Sequence, residues 1–165
     1  QTLMNLSKPN PTLVEVLTTE VAEKRIDPIS GHRSLFSLRS FEPGECIHEF
    51  SAKATHSTPN YLTVQLAENK HIELYPEYLE CINHSCDPNC MFDTTRMELV
   101  ALQHIEPGDE FVFFYPSAEW DMDQPFQCHC GSLHCLGMIG GARYLSRESV
   151  NKYEFTDFIK SKFRR

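Results

Sequence analysis

No apolar run in the chain approaches the roughly 20 residues that span a bilayer, so no membrane helix is expected. Gln1 opens neither the basic and apolar pattern of a secretory signal nor a transit peptide, which leaves the compartment unmarked at that end. A surplus of positive charge is also missing. Lys and Arg number 15 against 23 Asp and Glu, and the net charge of −8 disfavours direct nucleic-acid binding. There is no low-complexity linker, and 165 residues are too few for two comfortable domains, so one compact domain with an appended segment is expected. The cysteines do not come in an even number. Seven of them, three crowded into residues 128 to 135, suit metal binding by reduced thiols better than a disulfide framework. That favours a reducing, intracellular compartment, nuclear or cytoplasmic. Finally, no Asp/Glu pair stands out as an acid/base couple.

The charge that is present is uneven. Residues 142 to 165 hold seven Lys/Arg against three Asp/Glu, a balance of +4, so the other 141 residues carry eight against twenty, or −12. An acidic body suits a Lys/Arg-rich protein or peptide partner. The same charge serves solubility, and a basic tail can also fold back on an acidic body.

Seven short segments rich in β-branched or aromatic residues, each bounded by turn residues, predict a mainly β domain: 12 to 17, 34 to 38, 45 to 50, 61 to 66, 70 to 74, 97 to 102 and 110 to 115. FEPGE (41 to 45) and IEPGD (105 to 109) echo each other as type II turns and are each expected to join neighbouring strands. PEYLEC (76 to 81) predicts a short helix with Pro76 at its first position. From Ser146, a fitting N-cap, the tail reads as helical, with Val150, Tyr153, Phe158, Ile159 and Phe163 as an imperfect apolar stripe.

Three segments could carry chemistry. CHCGSLHC places Cys128, Cys130 and Cys135 in a CxCxxxxC spacing, one thiol short of a tetrahedral zinc site. His129 and His134 lie nearby, but a residue between two ligating cysteines is badly placed to ligate as well, which brings Cys86 into consideration. An iron–sulfur cluster uses the same donors. NHSCDPN (83 to 89) reads in isolation as a turn held by its own side chains, and Cys86 with His84 is also conceivable as a nucleophile pair. In EFVFFY, alternation puts Phe111, Phe113 and Tyr115 on one strand face, either lining one cavity or packing as an aromatic core.

The order GHRSLF, NHSCDPN, EPGDEFVFFY, CHCGSLHC resembles the SET domain and post-SET zinc segment of protein-lysine methyltransferases, over roughly residues 26 to 140. The resemblance implies a β-rich α+β fold of small sheets with a pseudoknot, in which the segment ending at Tyr115 threads beneath a preceding loop and brings NHSC and EFVFFY together. It divides the chain into a SET domain (1 to 120), a post-SET zinc segment (121 to 141) and a basic, helical tail (142 to 165). It implies S-adenosylmethionine and zinc as cofactors and lysine methylation as the activity, with histone tails the family's commonest substrate. An inactive SET-like module that binds a basic partner is the alternative.

By the same resemblance, Tyr115 stands at the point of methyl transfer. Phe113 and Phe50 belong to the substrate channel, and Phe113 leaves room for more than one methyl group. Asn83 and His84 grip the cofactor, with Gly31, Arg33, Ser34, Tyr61 and His129 as further contacts. Cys86, Cys128, Cys130 and Cys135 hold the zinc, while Cys46, Cys81 and Cys90 match no ligand position and are assigned to packing. The chain departs from the family pattern at Ser34 (usually Gly), Phe50 (usually Tyr) and Phe114 (usually Asp). Only 32 residues separate Phe50 from Asn83, so the insert that commonly helps hold the peptide is very short.

Overall fold

The computed structural model describes residues 14 to 164, so the first two residues of the strand expected over 12 to 17 lie outside it. The remainder of that segment forms β1 (Val14–Thr18), which pairs with β2 (Ala22–Ile26), and β2 pairs in turn with β3 (Arg33–Ser37), giving a three-stranded antiparallel sheet. A second three-stranded sheet runs in the order β5 (Ser51–His56), β7 (Lys70–Tyr75), β6 (Val64–Ala67). A five-stranded sheet is built from β4 (Cys46–Glu49), β8 (Asn83–His84), β9 (Cys90–Asp93), β10 (Glu98–Ala101) and β11 (Val112–Phe113), in the order β4-β10-β9-β11-β8. A two-stranded ribbon, β12 (Phe126–Gln127) with β13 (Met138–Ile139), follows. Helices are short, and among the described residues none is long and apolar enough to cross a membrane.

β11 makes the fold distinctive. Val112 lies opposite Asn83 and Phe113 opposite both His84 and Cys90, all in parallel register, so the strand runs between the two ends of the 83 to 90 loop. The loop closes on it from both sides: Ser85 N–H donates to Phe113 O (3.0 Å), Asn89 N–H donates to Val112 O (3.0 Å), and Asn89 Oδ1 accepts from Val112 N–H (3.0 Å). The two-residue strand is shorter than the 110 to 115 segment read from the sequence because Tyr115 already opens a 3-10 turn, Tyr115–Ser117.

The echoing turns form as type II turns. Glu45 N–H reaches Glu42 O and Asp109 N–H reaches Glu106 O, both at 3.0 Å, with Gly44 and Gly108 at φ 87° and 93°. They do not join neighbouring strands. The first leads from β3 to another sheet, and the second leads from β10 to β11 across the intervening β9. Their flanks pair with each other instead, Phe41 and Ile105 exchanging both backbone hydrogen bonds at 2.9 Å. Pro76 likewise sits one place earlier than expected, as the cap of the 3-10 turn Glu77–Cys81.

Leu35, Phe41, Ile72, Leu79, Phe92, Leu99, Ile105 and Phe111 are essentially inaccessible and make the main core. Fully burying each is worth about 1.5–3 kcal/mol. The expected single helical tail is two helices, α1 (Arg147–Lys152) and α2 (Asp157–Phe163). Ser146 caps the first, as expected, by accepting Ser149 N–H. Tyr153 then turns extended, and Thr156 caps the second by accepting Ile159 N–H. The break lets Tyr153 and Phe155 pack on Phe114 (ring centroids 3.8 and 6.4 Å apart), while Phe163 meets Trp120 (5.5 Å). The tail folds back on the acidic body, with Lys162 Nζ 2.8 Å from Glu68 Oε2.

Residues 140 to 143 lie against 119 to 122: Ala142 and Arg143 N–H groups donate to Glu119 O and Trp120 O, both at 3.0 Å. Gly141 has φ 123°, and a Cβ there would sit 2.5 Å from Trp120 O. Gly44 is a control with positive φ and nothing within 4 Å of its Cβ position. In urea denaturation Gly44→Ala should cost about 1–2 kcal/mol. Gly141→Ala should cost more, upward of roughly 3 kcal/mol, because backbone must move to admit the methyl group.

Candidate active site

Strand β8 brings Asn83 beside β3. Its Nδ2 donates to Arg33 O (2.8 Å) and Ser34 Oγ (3.4 Å) and reaches Glu110 Oε2 (3.2 Å), while its Oδ1 takes no donor among the described residues. Ser34 is buried in β3 and keeps negative φ, since Met97 is the one non-glycine with positive φ among the described residues. Serine therefore fits a position where the SET pattern usually has glycine. Gly31, φ 76°, turns the hairpin between β2 and β3.

His84 is committed through both ring nitrogens. Nδ1 accepts Tyr115 N–H (3.1 Å), which places the proton on Nε2, 3.4 Å from Cys86 Sγ. Burial holds its pKa down at about 4, so the ring is neutral. Its centroid lies 5.2 Å from Tyr115, 5.6 Å from Phe114 and 5.5 Å from Phe126. The ring thus ties the loop to Tyr115 and to the cysteine cluster, leaving its backbone for any further contact.

Cys86, Cys128, Cys130 and Cys135 converge, with all four Sγ atoms within 4.8 Å of one another. A tetrahedral zinc with Zn–S near 2.3 Å separates its sulfurs by about 3.8 Å, so four thiols and no carboxylate fit that metal. Leu136 N–H points at Cys86 Sγ (3.3 Å), a donor of the kind that supports a metal-bound thiolate. His129 is exposed between two of these cysteines. Of the cysteines assigned to packing, Cys81 and Cys90 are buried, and Cys90 Sγ donates to Val112 O (3.3 Å). Cys46 is exposed instead, because its side of β4 faces away from the core.

Beyond Tyr115 opens a cavity of about 340 Å³. Tyr61, Phe92, Phe113, Tyr115 and Phe126 supply its aromatic wall. Phe113 stands 4.7 Å from Tyr115 and 4.9 Å from Phe92, centroid to centroid. Tyr115 Oη donates to Ile82 O (3.3 Å), and burial pushes its pKa up to about 12, so the hydroxyl stays protonated. Tyr61, 65% exposed, lines this cavity, whereas Gly31, Arg33, Ser34, Asn83, His84 and His129 do not. Phe50 does not reach it either, being packed edge-on behind Phe92 at 5.4 Å. Phe111 points into the core against Phe41 (6.2 Å), so alternation did not put three aromatic residues on one wall.

Three participants escaped the sequence reading. Phe126, two residues before Cys128, contacts both His84 and Tyr115 (5.8 Å). The other two are carboxylates with separate partners, Glu80 beside Lys53 and Glu119 beside His71; both residues border the cavity, and the side chains of both are buried. Glu119 Oε1 accepts from Thr63 Oγ1 (2.8 Å), and His71 Nδ1 lies 3.0 Å from each of its oxygens. Burial raises Glu119 to about 8 and lowers His71, so this pair shares one proton and no net charge. Neither carboxylate had a signal, because its partners lie at sequence distances that periodicity does not reach.

The SET domain family model matches residues 12–116. A protein named methyltransferase flvH, from Aspergillus flavus, is 35% identical over 126 residues, covering 75% of this chain and 70% of that protein. An H3 lysine-36 specific histone-lysine N-methyltransferase of Emericella nidulans is 41% identical over 71 residues, 39% of this chain but 7% of that much longer protein. The crystal structure of KRYPTONITE with mCHH DNA, an H3(1-15) peptide and SAH shares the fold, with TM-score 0.50, 21% identity, and coverage of 67% of this chain and 28% of that one. With the 83 to 90 loop closed around β11 and a family match over most of the described strands, the chain belongs to the SET domain family.

Proposed function

We propose that the protein transfers a methyl group from S-adenosylmethionine to the side-chain amine of a lysine in a Lys/Arg-rich protein or peptide, histone tails being one such class. The observation that carries this reading is the position of Tyr115. It borders the aromatic cavity on one side and is joined through His84 to the Asn83, Arg33 and Ser34 cluster on the other. The names of the relatives support it.

Asn83, with Oδ1 unengaged, would take a donor of the cofactor, beside the backbone of Arg33 and Ser34, with Phe126 and His129 completing the group. S-adenosylmethionine, when bound, supplies a methyl group on a positively charged sulfur. The chain's own residues must then present a neutral amine. A lysine of pKa near 10.4 is only about one part in a few hundred neutral at pH 8, and an aromatic, desolvating cavity shifts that balance by penalising the ammonium form. Tyr115, held protonated, orients the amine and does not attack, and alignment of this kind can be worth several kcal/mol of barrier. The four cysteines would hold zinc as a structural clamp, fixing the 128 to 135 segment to the 83 to 90 loop through Cys86. Two of the departures from the family pattern have structural explanations: Ser34 lies in strand β3, and Phe114 stacks on Tyr153 to dock the tail.

Transfer of labelled methyl to a panel of basic and acidic peptides tests the reading, and no transfer to any amine would overturn it. Basic peptides should be turned over faster, with the advantage shrinking as salt rises. Because Phe113 leaves space beside Tyr115, mass spectrometry should show products beyond monomethyl-lysine. Tyr115→Phe should fold and bind cofactor but lose most of its transfer rate, on the order of tenfold or more. Cys86→Ser should lose zinc by elemental analysis, and chelation of the parent protein should weaken both folding and cofactor binding.

A further inference from the structure

The cavity beside Tyr115 is larger than a lysine side chain needs, and the chain itself holds it open. One rim is the turn at residues 60 to 63, closed by its own bonds: Asn60 N–H donates to Thr63 Oγ1 (3.1 Å) and Leu62 N–H to Asn60 Oδ1 (2.8 Å). The facing rim, residues 118 to 126, is tied to the first. Gln65 N–H donates to Ala118 O (2.8 Å), Trp120 N–H to Gln65 Oε1 (3.0 Å) and Thr63 Oγ1 to Glu119 Oε1 (2.8 Å). A space framed in this way is preformed, as small-molecule sites usually are. Its volume is about 340 Å³. An apolar cavity of about 150 Å³ already holds benzene, and a lysine side chain has fewer heavy atoms than benzene. None of Arg33, Ser34, Asn83 and His84 borders the space, so the surplus lies on the acceptor side of Tyr115. Leu62, Leu74, Leu79, Ile82, Phe113 and Phe126 line it, and its two buried carboxylates already have partners, Glu80 in Lys53 and Glu119 in Thr63 and His71. Apolar contact, not ion pairing, must therefore hold what fills it, and space left empty forfeits dispersion contacts. Strands β5, β6 and β7 and the 3-10 turn Glu77–Cys81 take up most of the chain between Phe50 and Asn83. The longest loop left there, 57 to 63, ends as the cavity rim.

We propose that this cavity takes non-peptide amines built on a ring or branched hydrocarbon frame, and that such small-molecule amines are methyl acceptors of this protein alongside lysine side chains. The acceptor role rests on the methyl transfer proposed above; the fit of the cavity to a bulky apolar amine does not. In the transfer, the lone pair of the neutral amine forms the new N–CH3 bond as the S–CH3 bond of S-adenosylmethionine breaks. The bonding pair stays on sulfur, giving S-adenosylhomocysteine, and the proton lost from nitrogen passes to solvent. The hydrocarbon frame would fill the volume that a lysine chain leaves empty, so a ring-bearing amine gains in binding over a linear one.

The test uses the full chain with cyclohexylmethylamine and n-butylamine, two primary amines that differ in frame, titrated by NMR on 15N-labelled protein. The parent protein should bind cyclohexylmethylamine at least about tenfold more tightly, with the amides of Leu62, Thr63, Leu79 and Phe126 moving. Leu62→Trp, which puts a large ring at the cavity, should remove most of that preference. Leu17→Trp, which adds the same ring at an exposed position of β1, should keep it. Labelled methyl from S-adenosylmethionine should then appear on cyclohexylmethylamine, read by mass spectrometry beside a lysine peptide. Equal binding of the two amines, unmoved amides at those four positions, or an equal loss in Leu17→Trp would each overturn the fit. The parent-protein titration decides this even if Leu62→Trp fails to fold. Methylation of lysine peptides with none of the ring-bearing amine would overturn the acceptor role. No transfer to any amine or lysine, with the binding preference intact, would overturn the methyl-transfer reading together with the acceptor role and leave the fit standing.

Discussion

The passage of residues 110 to 113 between the two ends of the 83 to 90 loop is the constraint on which the site depends. Once β11 lies parallel to both β8 and β9, Asn83 and His84 must face the segment leading to Tyr115. The loop cannot drift away, because Ser85 and Asn89 bond to the threaded strand from opposite sides. Backbone groups buried at such a crossing have no water to turn to, so each must find a partner within the chain. That requirement explains Asn89, whose side chain both accepts from Val112 N–H and donates to Glu110 O.

Cys86 is where the remaining parts converge. Its thiol belongs to the four-sulfur cluster and meets the His84 ring, while its carbonyl accepts the Tyr153 hydroxyl at 2.6 Å. The tail is therefore anchored to the same loop that closes around β11. Phe114 contributes by stacking on Tyr153, so the residue next to Tyr115 docks the tail. Burial sets the charge states here in one direction. Tyr115 keeps its proton, His84 stays neutral, and Glu119 shares a proton with His71. Burial pushes the Glu80 carboxyl up as well, against the opposing pull of Lys53 on its Oε1.

Much of the architecture was legible in the chain. Short β-rich segments bounded by turns, and two EPG turns whose glycines need positive φ, are local features, and local features survive into the fold. The helix cap Ser146 works through a side chain three residues from its target. Less was legible wherever partners lie far apart. Strands β2, β5 and β9 carry weaker or more polar patterns, and the break at Tyr153 follows from aromatic contacts with Phe114, 39 positions earlier. The EPG turns were read correctly as turns and incorrectly as connectors, since pairing between Phe41 and Ile105 is set by neither turn alone.

The sequence by itself determined the residue types that the site needs. It supplied four thiols in two segments, an Asn-His pair, and an aromatic run ending in Tyr115 beyond a tight turn. Spacing and side-chain chemistry are sufficient for that much, because ligand type and turn geometry are properties of a few neighbouring residues. Tertiary structure alone decided the rest: that both ring nitrogens of His84 are occupied, that Phe50 lies behind Phe92, and that Glu80 and Glu119 border a cavity with Tyr115. Those outcomes depend on burial and on contacts between residues dozens of positions apart. Charge state, exposure and the company a side chain keeps are properties of the packed interior, and no local pattern encodes them.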